Sequence, residues 1–262
     1  MGPGRGVGLA VAGLAGVASI LGLGSISGCA DGNDASSAPS SAIAAMPSPC
    51  KNAGPELLLC ADFDDGSVST LSAVDFGGGT VMPTSTHAVS APFSLHLRTV
   101  TSDIAAAALL LSRVPFRVPQ IQVDADVMVV PSGSADVPGA DQSSLLRFPV
   151  MDSHAAIGAF FVHYKKSTGE LFLVAHSASL GDVGRESLGL APSGFFHVRA
   201  EIAPAGGGGA YAQVVVNDRS PQTVTIDDVA DGPLLYTLEA GLDAPAAAPF
   251  ELYLDNVAVR AR

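Results

Sequence analysis

The chain has 262 residues, is 48% hydrophobic and only 15% charged, and carries a formal net charge of -12 at pH 7. This balance supplies ample apolar material for a core, and it excludes nucleic acid as a partner, because phosphate contacts need a basic face. The length admits one large β domain or two small ones.

In chain order, Arg5 and the apolar run "VGLAVAGLAGVASILGLG" (7–24) supply the positive and hydrophobic regions of a secretory signal. The run is short and Gly-rich for a membrane-spanning helix. It leads into Ile26, Ser27, Gly28 and Cys29. This ending resembles the lipobox of bacterial lipoprotein signals, with Ile where Leu is usual. The resemblance implies removal of residues 1–28, lipidation of Cys29 and membrane attachment through the N-terminal lipid anchor. The protein is then expected to be exported to the cell envelope, at the outer membrane if the host is Gram-negative. The alternative is an ordinary secretory signal in which Cys29 falls by chance.

Residues 29–49 are dominated by Ser, Ala, Pro and Asp without helical or strand periodicity, and read as a flexible tether. Cys50 and Cys60 follow. In an oxidising compartment they form a plausible disulfide closing a short loop; two thiols with no nearby His make a poor metal site.

From residue 56 the pattern has period two. In "QIQVDADVMVV", Ile121, Val123, Ala125, Val127 and Val129 alternate with Gln122, Asp124 and Asp126. In "FFHVRAEI", Phe196, Val198, Ala200 and Ile202 alternate with His197, Arg199 and Glu201. Such segments are half-buried strands. "SLHLRT", "ELFLVAHS" and "AYAQVVVND" behave alike, and "AAAALLLS" (105–112) reads as a buried strand because it lacks a polar face at helical spacing. Gly, Pro, Asn and Asp clusters separate about a dozen strands, which excludes a parallel α/β sheet and points to a sandwich or barrel. In "FELYLDNVAVR" the apolar phase shifts from Phe250, Leu252 and Leu254 to Val257 and Val259, as a bulge near Asp255 and Asn256 would produce.

The sequence of segments "LLLCADFDDG", "FSLHLRTV", "VDADVMVV", "FFHVRAEIAP", "AYAQVVVNDRS" and "FELYLDNVAVR" resembles laminin-G-like members of the concanavalin A-like lectin/glucanase superfamily. Phe196 stands where those domains usually carry Trp, and Asn217-Asp218-Arg219 replaces their "DG" turn. The resemblance implies an all-β, antiparallel two-sheet jelly-roll sandwich over residues 50–262, with the first and last strands adjacent.

The glycosidase chemistry of that superfamily needs paired carboxyl groups. Neither E-x-D-x-E nor E-x-D-x-x-E occurs. Asp124 and Asp126 share a face without a Glu, and Glu251 and Asp255 lie too far apart along their strand to act as an adjacent pair. No G-x-S-x-G marks a serine nucleophile. Asp62, Asp64 and Asp255 are candidate ligands of a structural calcium if the terminal strands pair; the alternative is that Asp255 accepts hydrogen bonds from a neighbouring loop. Phe161, His163, Lys165, Phe172 and His176 are candidate ligand-binding residues around one hairpin, with Tyr164 and Glu170 beside them. The expectation from these readings is a lipid-anchored, non-catalytic, lectin-like module binding a glycan or an envelope protein. The alternatives are a glycoside hydrolase or polysaccharide lyase with an unrecognised carboxylate pair, and a structural surface protein.

Overall fold

The computed structural model describes residues 50–51, 54–67, 71–76, 79–99, 106–112, 115–131, 141–152, 155–206, 208–227, 233–244 and 250–262. The signal segment, Cys29 and the tether lie outside the described residues.

Sixteen strands are present among the described residues: β1 (Leu57–Ala61), β2 (Leu71–Phe76), β3 (Thr80–Thr84), β4 (Ser94–Thr99), β5 (Ala106–Ser112), β6 (Ile121–Pro131), β7 (Gln142–Met151), β8 (Ala156–Lys165), β9 (Glu170–Ser177), β10 (Gly181–Leu190), β11 (Phe196–Pro204), β12 (Ala210–Val216), β13 (Gln222–Ile226), β14 (Leu235–Tyr236), β15 (Glu239–Ala244) and β16 (Phe250–Ala261). Every pairing is antiparallel. Sheet I runs β13-β12-β11-β6-β16-β4-β3, with β1 added to β16; sheet II runs β10-β9-β8-β7-β15-β5-β2, with β14 added to β7. The protein is thus an all-β jelly-roll sandwich, and its first and last strands are neighbours.

The alternation read from sequence sets the two faces of each sheet. Ile121, Val123, Ala125 and Val127 of β6 are fully buried between the sheets, as are Phe160 and Val162 of β8 and Leu171, Leu173 and Ala175 of β9. A one-residue slip would turn each of these sets to solvent, so burial pins the register. The "AAAALLLS" segment is strand β5, paired on both sides by β2 and β15.

Strand β16 carries the expected bulge. Its register against β6 shifts between Asp255 and Ala258, and Asn256 adopts a left-handed φ of 52°. The extra residue returns Val257 and Val259 to the same buried face as Phe250, Leu252 and Leu254, and all five are fully buried.

Cys50 and Cys60 form a disulfide that ties the start of the domain to β1. For a loop this short, removing the bond by a Cys50→Ser, Cys60→Ser double substitution should cost about 2–3 kcal/mol. Denaturant unfolding with and without reductant checks this: reductant should lower the midpoint of the wild type to that of the double variant and leave the variant unchanged.

Candidate functional site

Each sheet turns one polar face outward, and the two faces differ in how their polar groups are used. On sheet I, Asp124 of β6 is almost fully buried and accepts hydrogen bonds from Gln122 Nε2 (2.7 Å), Arg199 Nε (2.8 Å) and Arg260 Nη1 (2.7 Å). The His197 ring bridges the two acids of β6, with Nε2 3.1 Å from Asp124 and Nδ1 2.9 Å from Asp126. Asn256 Nδ2 donates to Asp126 at 2.8 Å. Burial alone would raise the Asp124 pKa, but hydrogen bonds from His197, Arg199 and Gln122 outweigh it and hold the carboxyl well below the usual range. Hydrogen bonds to Asp124 and then Asp126 push His197 up to about 9. The two acids that shared a face in the sequence are therefore clamped to β11 and β16, where they tie the sheet together.

Asp255, fully buried at the bulge, is equally occupied. It accepts hydrogen bonds from the backbone N–H groups of Val89 (2.8 Å), Ser90 (2.9 Å) and Asn256 (2.8 Å) and from Ser90 Oγ (3.0 Å). Burial lifts its pKa to about 6 against these hydrogen bonds. Ser90 Oγ also lies 3.5 Å from Asp64 Oδ1, and Asp62 Oδ1 accepts from the Asp64 backbone N–H at 3.4 Å. Among the described residues no three His, Cys, Asp or Glu side chains gather as a metal-ion cluster. Asp64 and Asp255 both reach Ser90 in the loop before β4, while Asp62 accepts within the turn after β1.

Sheet II has a different outward face. Phe161, His163 and Lys165 project from β8, and Phe172 and His176 from β9, so the five residues singled out in the sequence share one surface. His163 pairs with Phe172 and Lys165 with Glu170 in the β8–β9 register. The rings of Phe161 and His163 stack at 5.1 Å, and His176 meets the edge of Phe161 at 6.3 Å. The two histidines do not face one another across the hairpin, since His176 pairs with Ala159 and Phe161 lies between. Tyr164 points inward against Phe250 and is excluded from the surface.

The sheet order adds residues that no motif announces. Arg147 of β7 is opposite Phe161, with its guanidinium carbon 5.4 Å from the ring centroid and Nη1 2.9 Å from Glu239 Oε2 on β15. Arg185 of β10 lies 3.9 Å above the Phe172 ring. His176 Nδ1 is 2.9 Å from Asp182 Oδ1, and Lys165 Nζ is 3.9 Å from Asp141 Oδ2.

Three buried polar atoms cluster here without a hydrogen-bond partner: Ser144 Oγ, Arg147 Nε and His163 Nδ1. Ser144 is directly opposite His163 in the β7–β8 register. Buried polar groups are ordinarily paired, because an unsatisfied one costs about 1–3 kcal/mol, so three at neighbouring positions of one face make this face the candidate site. Two further unpartnered atoms, His96 Nε2 and Asn256 Oδ1, lie apart from one another on sheet I, and the first is 3.4 Å from Glu251 Oε2. Burial lowers the His163 pKa below its ordinary value, with the Asp182 charge opposing and Arg185 adding to the effect. The neutral form of its imidazole is favoured accordingly.

No family model matches the sequence, and no curated protein matches it. Solved structures do match the fold. The endo-β-1,4-glucuronan lyase of the fungus Trichoderma reesei aligns with a TM-score of 0.57 at 12% identity, over 79% of this chain and 96% of that one. The cellulose-induced protein Cip1 aligns at 0.52 and 12% identity, over 78% and 97%. The alginate lyase Aly36B, solved with an alginate trisaccharide, aligns at 0.51 and 13% identity, over 78% and 98%.

The expectation of a non-catalytic lectin-like module is corrected on these grounds. Two of these three proteins are polysaccharide lyases. The aromatic platform a lectin would offer is also occupied by the protein itself: Arg185 covers Phe172, and His163 and Arg147 attend Phe161.

Proposed function

We propose that the protein is a polysaccharide lyase that cleaves a uronate-bearing polysaccharide by β-elimination on the outward face of sheet II. The observation that carries this reading is the His163 imidazole, stacked on the same Phe161 ring that carries the Arg147 guanidinium, with its Nδ1 lacking a hydrogen-bond partner. The fold shared with a glucuronan lyase and an alginate lyase supports it.

The chemistry follows from those groups. The hydrogen at C5 of a uronate is acidified when the attached carboxylate is neutralised, and Arg147 is the cation placed to do so. The neutral His163 imidazole takes that proton as general base. The electron pair of the broken C5–H bond forms the C4–C5 double bond, and the C4–O4 bond breaks. The imidazolium formed on His163 returns its proton to the departing oxygen, so the charge balance closes. This route needs no pair of carboxylates, unlike glycoside hydrolysis.

The unsaturated product absorbs in the ultraviolet. Incubation with uronate polysaccharides should raise that absorbance as the polymer shortens. New reducing ends without the absorbing double bond would mean hydrolysis and would refute the reading.

The same proposal places the enzyme outside the cytoplasm, anchored through Cys29. The Cys50–Cys60 disulfide supports an oxidising compartment. Cys29→Ser should move the protein from the membrane fraction to the soluble one, and a variant that still pellets with envelopes would contradict the anchor.

A further inference from the structure

We propose that the substrate of this site is a polysaccharide whose uronates are separated by neutral sugars, rather than one bearing a carboxylate on every unit. The inference rests on the lyase reading above and concerns what flanks the reacting uronate.

Elimination requires one carboxylate, at the reacting unit, and Arg147 is the cation beside His163. Every further carboxylate must find a cation of its own or lie in the field of the site's acids. The outward face of sheet II has few cations to spare. Arg147 is engaged by Glu239 at 2.9 Å, and Lys165 stands 3.9 Å from Asp141. His176 is held by Asp182 at 2.9 Å. Glu170 pairs with Lys165 in register, and its carboxylate accepts a hydrogen bond from Ser187 Oγ at 3.2 Å. Among the described residues of this face, Arg185 is the one Lys or Arg without an acid partner. The four acids (Glu239, Asp141, Asp182, Glu170) outnumber the three Lys and Arg, and the whole chain carries -12. A polymer charged at every unit would hold carboxylates within the Debye length of these acids, about 8 Å at physiological salt, and each uncompensated approach opposes binding.

The placement of the two guanidinium groups points the same way. Arg147, Phe161, Val174 and Arg185 form one cross-strand row over β7, β8, β9 and β10. Arg147 and Arg185 are thus three strand spacings apart, roughly 14 Å between backbones. The side chains lean inward from there, Arg147 onto Phe161 of β8 and Arg185 onto Phe172 of β9, so each guanidinium is a separate contact point and arginine meets at most two carboxylates among the described residues of this face. The neighbouring row is Ser144, His163, Phe172 and Ser187. It carries two hydroxyl groups, the exposed one of Ser187 and the buried, unpartnered one of Ser144.

The test compares the purified protein on two polymers of matched length: a homopolymer of glucuronate, and an unsulfated polymer with a glucuronate–N-acetylhexosamine repeat. Ultraviolet absorbance of the unsaturated product reads the rate. The alternating polymer should give a kcat/KM at least about tenfold higher, a difference of about 1.4 kcal/mol. Added salt should raise the rate on the homopolymer by screening repulsion, and Glu239→Gln should narrow the gap by raising it as well. An equal or greater rate on the homopolymer, falling with salt, would overturn this inference and leave the lyase reading standing. No unsaturated product from either polymer would overturn the lyase reading, and this inference with it.

Discussion

His163→Ala should lower the elimination rate by about 10²- to 10⁴-fold, the usual contribution of a positioned general base. The loss should fall on kcat, with KM little changed, because the carboxylate contact belongs to Arg147. The melting temperature should fall modestly, because the Phe161 stacking contact is lost, and His163→Gln, which keeps a polar planar side chain there, should stay closer to the wild type while losing the same activity. The wild-type rate should reach its plateau at a lower pH than an ordinary imidazole base would give, because burial keeps the His163 pKa below its ordinary value. A His163→Ala variant that retained wild-type kcat would remove His163 from the chemistry. Loss of activity accompanied by unfolding would instead mark a structural role.

Asp124→Ala should produce the largest loss of stability among outward-facing substitutions, about 2–4 kcal/mol. Asp124 is almost fully buried and accepts from Gln122, Arg199 and Arg260 as well as contacting His197, and removal leaves those donors without their acceptor. Arg199 is half exposed and recovers hydration, which keeps the cost below that of a fully buried network. The same cluster predicts a pH dependence. His197 has its folded pKa raised from 6.5 to about 9. Its contribution is therefore complete below pH 6.5 and is lost as pH rises through 9. After discounting for the partial exposure of the ring, this amounts to about 1–2 kcal/mol. Asp255, at about 6, completes most of its titration below this window, and the tyrosines with raised pKa values titrate above it. The wild-type melting temperature should fall between pH 6.5 and 9, and the Asp124→Ala variant should show a shallower fall. Parallel melting curves at four pH values check both statements; equal slopes would separate His197 from the effect.

The fold was legible because burial writes period two into the chain. Strand β6 reads "IQVDADVMVVP", and its alternate residues Ile121, Val123, Ala125 and Val127 are fully buried between the sheets. The bulge in β16 was legible for the same reason, since only an extra residue lets Phe250, Leu252 and Leu254 share a face with Val257 and Val259. The candidate site was half legible. Phe161, His163, Lys165, Phe172 and His176 lie on two consecutive strands, so hairpin alternation alone brings them together. Arg147, Glu239 and Arg185 could not be joined to them, because their meeting depends on the sheet order β10-β9-β8-β7-β15, a long-range pairing that leaves no local spacing to read. Asp124 and Asp126, the acids that share a face in the sequence, are clamped to His197, whereas the lone arginine in the apolar run "LLRFPV" gains its meaning only from its place opposite Phe161.

The most direct test is a crystal structure of the His163→Ala variant soaked with a uronate oligosaccharide. The account predicts sugar lying across β7 to β10 on the outward face of sheet II, with a uronate carboxylate on the Arg147 guanidinium and C5 facing the space left by the imidazole. Sugar bound on the outward face of sheet I, or a carboxylate held away from Arg147, would contradict it.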